Sequence, residues 1–131
     1  MSEPTVWILE GLVYYIPADA VNSVLARVSR LSARGSTVVA DMVSKDFMDS
    51  SSTFDHRDDM ARRGAPWMFG HNDPAALFAA HGFRCQVLDL AYLYVDRRER
   101  RLVVQPQAVY RHTPGGGGSI PMTFYVTGLK I

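Results

Sequence analysis

Thr5 to Pro17 reads TVWILEGLVYYIP, and the rest of the chain is arranged around this stretch. The apolar run Val6-Trp7-Ile8-Leu9, set off by Pro4, predicts a strand buried on both faces of a sheet. The run ends on Glu10-Gly11, where a parallel strand would meet its loop. That places a carboxylate at the carboxyl edge of the sheet, the edge at which open α/β sheets bind ligands. Pro17 suits the first turn of a helix.

Downstream of Pro17, Ala18, Val21, Val24, Leu25, Val28 and Leu31 recur at three- and four-residue spacings and predict a helix from about Pro17 to Ala33. Asp19 at its start and Arg27, Arg30 and Arg34 towards its end complement the helix dipole, and Gly35 offers a left-handed stop. Ser36 to Val43, STVVADMV, reads as a second buried strand that also carries an acid, Asp41. Strand, helix, strand predicts a right-handed βαβ unit with parallel strands, so Glu10 and Asp41 fall at the same sheet edge.

Between 44 and 72 the periodicity fails, and the stretch is expected to be a long loop or lid. Its aromatic residues Phe54, Trp67 and Phe69 read equally as part of a lid or as a local cluster tucked beneath it. Asp73 and Pro74 then start a short helix, and Phe83 to Leu90 is a third strand. The charge run Asp96 to Arg101 reads as a solvated hairpin or helix end, with Leu102 to Val104 a short strand or a continuation of irregular structure after it. Residues 114 to 118 form a flexible turn, and Thr123 to Leu129 is the last strand.

The bulk composition narrows the function. With 131 residues and 47% hydrophobic content the chain predicts one packed domain, residues 1–131, and a net charge of +1 gives no general electrostatic pull towards nucleic acid or an anionic membrane. The lone Cys85 excludes an internal disulfide, and no apolar run approaches the roughly 20 residues needed to span a bilayer. A cytoplasmic location is the expectation. The four histidines have no metal-ligand spacing, so no metal is expected, and there is no G-x-S-x-G elbow. Cys85 lies in an alternating strand and reads as core.

Four segments, WILEGLVYYIPADAV, GSTVVADMV, GHNDPAALFAAHGF and IPMTFYVTG, resemble the carboxyl-terminal half of the leucine carboxyl methyltransferase-like enzymes. These are a class I S-adenosyl-L-methionine (SAM)-dependent family that includes bacterial polyketide O-methyltransferases. The resemblance implies a partial Rossmann-like α/β fold: a small mixed sheet of parallel strands plus an antiparallel last strand, flanked by helices. It implies that Glu10 binds the methionine end of SAM and that Gly11 lets the backbone approach it. Tyr14 and Tyr15, with Asp41, Trp67 and Phe69, become candidates for the substrate pocket. The bland alternative is that Glu10 caps the next helix and both tyrosines are half-buried packing.

No counterpart of the family's glycine-rich first loop or ribose-holding acid is found in the chain. The expectation is therefore the carboxyl-terminal half of an O-methyltransferase acting on a carboxylate or hydroxyl, with an incomplete SAM site and no turnover alone. The alternative is a non-catalytic binding or assembly domain of the same fold. The expected partner is a complementary amino-terminal half or, because the first strand would be left with a bare apolar edge, a second copy of the chain.

Overall fold

The first strand, β1 (Val6–Leu9), lies at the edge of a four-stranded sheet. The computed structural model describes residues 3–115 and 118–131. After β1 come α1 (Ala18–Leu31), β2 (Thr37–Val43), α2 (Lys45–Asp49), α3 (Phe54–Arg62), α4 (Pro74–Ala79) and β3 (Phe83–Asp89). A hairpin of β4 (Leu93–Asp96) and β5 (Arg101–Val104) follows, and the chain closes on β6 (Thr123–Lys130). The sheet order is β1-β2-β6-β3. β1 and β2 run parallel, and β6 is antiparallel to both β2 and β3. The architecture is α/β with a mixed sheet and an antiparallel last strand, as expected.

One face of the sheet carries the core. Val38, Ala40 and Met42 of β2, Phe124 and Val126 of β6, and Phe83 and Val87 of β3 are buried together with Val21, Leu25 and Val28 of α1 and Leu77 and Phe78 of α4. Each of the Val, Leu, Met and Phe side chains contributes about 1.5–3 kcal/mol relative to exposure. Gly128 sits at the centre of this face, where an added Cβ would lie 2.9 Å from both Cys85 Sγ and Val38 Cγ1. Burial pushes the Cys85 thiol up to about 11, in keeping with a core rather than a nucleophilic role.

The expectation that β1 is buried on both faces is corrected. Trp7 and Leu9 face the core, whereas Val6 and Ile8 are 66% and 69% exposed. The pleat sends alternate side chains to opposite faces, and the described helices cover only one of them. Leu129 of β6, paired through Thr37 in the register that also holds Val6, is likewise exposed on the open face.

Several boundaries also differ. α1 ends at Leu31, two residues short of the expected Ala33, because Ser32 turns extended. The Ser32 hydroxyl donates to the Val28 carbonyl and accepts the indole N–H of Trp7 at 3.0 Å, which ties the helix end to β1. Gly35 (φ +87°) makes the tight turn into β2 instead of stopping the helix. The charge run between β4 and β5 is a hairpin turn, in which Asp96 accepts the backbone N–H groups of Arg98 and Glu99. The expected glycine-rich turn includes 116 and 117, which lie outside the described residues.

The stretch 44–72 is not the structureless loop that its broken periodicity suggested. Ser44, fully buried, caps α2 by accepting the Phe47 N–H at 3.1 Å, and Ser50 caps a short turn that leads into α3. α3 buries none of its residues, which is why it shows no apolar stripe. The return path is pinned by Met68 N–H to the Tyr14 carbonyl, by His71 N–H to the Val43 carbonyl and by paired hydrogen bonds between Asp46 and Asn72. No helix among the described residues is long and apolar enough to cross a membrane.

Candidate active site

β1 and β2 end side by side, and the loops that leave them build two adjoining cavities. After Glu10 the backbone turns at Gly11 (φ +60°), a conformation that favours glycine, and winds through a single helical turn at Val13–Tyr15. Asp41 of β2 holds this loop. Its Oδ1 accepts the Gly11 N–H at 2.7 Å, and its Oδ2 accepts the Tyr14 hydroxyl at 3.2 Å. Burial, and then the Asp41 charge, push the Tyr14 phenol up to about 12, so it stays protonated and donating at neutral pH.

The first cavity, of about 260 Å³, opens on the uncovered face of the sheet and is lined by Ile8, Glu10, Val39, Ala40, Asp41 and Tyr125. Glu10 is exposed at its rim. The second, of about 210 Å³, shares Asp41 and is bounded by Tyr14, Tyr15, Trp67 and His56, with Met42, Val43, Leu90 and Thr123 completing it. Its aromatic side chains contact one another: Tyr14 lies 4.6 Å from Tyr15 and 6.0 Å from Trp67, and His56 lies edge-on to Trp67 at 5.2 Å. Larger hollows elsewhere contain no residue from the ends of β1 and β2.

Of the residues singled out in the sequence, Glu10, Tyr14, Tyr15, Asp41 and Trp67 are thus brought together, and Gly11 joins them through its amide. Phe69 is not: it packs against the core beside His71 and lines neither cavity. Phe54 is 61% exposed and outside the cluster. His56, Leu90 and Thr123 were not legible as site residues. Only the placement of α3 brings His56 to the cavity, and no spacing in the sequence marks it. Among the described residues no group of His, Cys, Asp and Glu could hold a metal ion.

The α/β architecture with its mixed sheet matches part of a solved SAM-dependent methyltransferase structure. The chain superimposes on a SAM-dependent methyltransferase of Thermotoga maritima, described as a "possible histamine N-methyltransferase", with a TM-score of 0.58 at 12% identity over 96% of this chain and 55% of that one. A DUF574 family protein of Streptomyces avermitilis matches with a TM-score of 0.56 at 13% identity, over 98% and 45% of the two chains.

In sequence the chain is similar to proteins named "putative S-adenosyl-L-methionine-dependent methyltransferase". One from Frankia alni is 66% identical over 35 residues, 27% of this chain and 12% of the relative. One from Streptomyces avermitilis is 37% identical over 83 residues, 61% and 28% of the two. One from Mycobacterium marinum is 32% identical over 98 residues, 75% and 26% of the two. The matched part is thus little more than a quarter of the relatives' length at most. No family model matches the chain.

Proposed function

We propose that this chain forms the carboxyl-terminal part of a SAM-dependent O-methyltransferase of the leucine carboxyl methyltransferase-like kind. The observation that carries this reading is the clamp of Asp41 on Gly11. It sets Glu10 at the rim of an apolar cavity, next to a second cavity built of aromatic residues.

The residues present fit one end of SAM. The Glu10 side chain is exposed at the cavity rim, so its carboxylate is open to an ammonium group. Ile8, Val39 and Tyr125 offer apolar contact beside it. At about 260 Å³ the cavity falls below the roughly 300–1,000 Å³ usual for whole small-molecule sites, which suits the amino-acid end of the cofactor and not its nucleoside. When bound, SAM supplies an electrophilic methyl group on a sulfonium sulfur.

The second cavity is read as the acceptor site, with α3 and the stretch after it as its cover. A glycine-rich half would hold the nucleoside. The exposed Val6 and Ile8 on β1 support docking of that half or of a second copy of the chain. Calorimetric titration with SAM and S-adenosylhomocysteine tests the reading. The chain alone should bind weakly, and Glu10→Gln should abolish what binding there is. Micromolar affinity that survives Glu10→Gln would remove Glu10 from the site.

A further inference from the structure

The cavity beneath α3 has a chemistry that narrows what it accepts. Among its nine lining residues there is no Lys or Arg, and one acid, Asp41. A carboxylate substrate would meet that like charge with no cation to offset it. Thr123 adds one hydroxyl, and the remaining walls are apolar or aromatic, suited to the faces of a single ring. Both Asp41 oxygens already accept hydrogen bonds, from Gly11 and from Tyr14, and the Tyr14 proton is committed to Asp41. Of the lining side chains, that leaves His56 as the one that ordinarily takes up a proton near neutrality.

We propose that this cavity binds a small phenol and that His56 accepts the proton of its hydroxyl. This rests on the methyltransferase reading for the reaction but not for the binding. A phenol, with a pKa near that of tyrosine at about 10, is within reach of an imidazole base, whereas an alkyl alcohol is far less acidic. In the step, the O–H bond breaks and its proton passes to the unprotonated imidazole nitrogen. A lone pair of the phenolic oxygen forms the new bond to the methyl carbon, and the carbon–sulfur bond breaks with its electron pair going to sulfur. Charge is conserved: the positive charge of the methyl sulfonium reappears on the imidazolium.

The groups that face His56 set its behaviour. Tyr14, Tyr15 and Asp41 lie across the cavity, and the Trp67 ring packs against it. On its own helix Asp55, Arg57 and Asp59 are neighbours. Arg57 is held by the Thr53 hydroxyl and the Ser50 carbonyl, and Asp59 is paired with Arg63. The imidazole itself is exposed at the mouth of the cavity, so His56→Gln leaves the core untouched.

The test is an NMR titration of the isotope-labelled chain with phenol, with benzoate and S-adenosylhomocysteine as separate arms. Phenol is expected to move the Trp67 indole signal. It should also move the His56 ring signals and bind more tightly at pH 8 than at pH 5, because a hydroxyl can donate only to a neutral imidazole. Benzoate should bind about tenfold more weakly. In His56→Gln, phenol binding should persist within about threefold while its pH dependence near neutrality disappears. His56 ring signals unmoved by saturating phenol, or benzoate binding as tightly as phenol, overturns the inference. The S-adenosylhomocysteine arm separates the two readings: phenol binding is scored without it, whereas S-adenosylhomocysteine binding that survives Glu10→Gln counts against the methyltransferase reading and leaves the phenol assignment standing.

Discussion

Asp41 Oδ1 accepts the backbone N–H of Gly11 at 2.7 Å, across 30 residues of sequence, and thereby joins the ends of two adjacent parallel strands. The second oxygen of the same carboxylate holds Tyr14. One side chain thus sets both the approach to Glu10 and the wall of the aromatic cavity.

The Tyr14 phenol gives this arrangement a signature at alkaline pH. Its midpoint is raised from 10 to about 12 in the fold, so between those values the folded state holds a proton that the unfolded chain releases. Stability from this source is fully present below about pH 10 and is lost as pH rises through 12. Thermal melts should show a steeper alkaline loss in the parent than in Tyr14→Phe. In Asp41→Ala, ultraviolet titration should find the Tyr14 midpoint lowered but still above 10, since burial is the larger cause. A midpoint unchanged by Asp41→Ala would refute the clamp.

Acid acts through His71. Its Nδ1 accepts the Asp73 N–H at 3.0 Å, and burial, only partly opposed by Asp73, lowers its pKa below the ordinary 6.5. The unfolded chain therefore binds the proton first, and stability falls as pH drops below about 6.5. His71→Asn keeps an acceptor near Nδ1 and cannot charge. The melting temperature of this variant should decline less between pH 7 and pH 5 than that of the parent, and equal declines would show that His71 is not the titrating group.

Gly128 is needed for space. Its β6 position sits between Val38 and Cys85, and a Cβ there would also come within 3.2 Å of Phe83 Cβ. Because Val38 and Phe83 are almost wholly buried, neither can move aside cheaply. Gly128→Ala should cost about 1–3 kcal/mol in denaturant unfolding. A loss smaller than 0.5 kcal/mol, roughly the noise level of a surface change, would mean that the sheet centre yields more easily than its packing indicates.

The β1 edge should make the isolated chain self-associate. Val6 and Ile8 are exposed and apolar, and no charge interrupts the strand before Glu10. Sedimentation equilibrium at tens of micromolar should give twice the chain mass, and Ile8→Lys should return it to a monomer. A parent mass near 14.6 kDa would dispose of the dimer.

Local chemistry made much of the fold legible. The run Val6–Leu9, the 3.6-residue stripe from Ala18 to Leu31 and the β-branched run of β2 each report their element directly, because burial of one periodic face is what forms it. Asp73 and Pro74 announced α4 by a different local signal, as cap and first turn. The open face of β1 was not legible. Apolar residues at Val6 and Ile8 read as buried, and only the position of the covering helices shows that they are bare. Phe69 failed for a related reason: an aromatic residue in a lid-like stretch is as ready to fill the core as to line a cavity.

What the sequence determined by itself, then, is the order of the four sheet strands with α1 and α4, and the meeting of Glu10 with Asp41 at one sheet edge, since strand direction and the βαβ hand follow from short-range rules. Tertiary structure alone decided the rest of the site. α3 buries none of its residues and leaves no periodic mark, yet it brings the His56 and Trp67 rings to 5.2 Å, over a cavity walled by β2, the turn after β1, Trp67, Leu90 and the start of β6. Contacts of that kind join residues distant in sequence through the packing of whole elements, and no local pattern of side chains encodes where those elements come to rest.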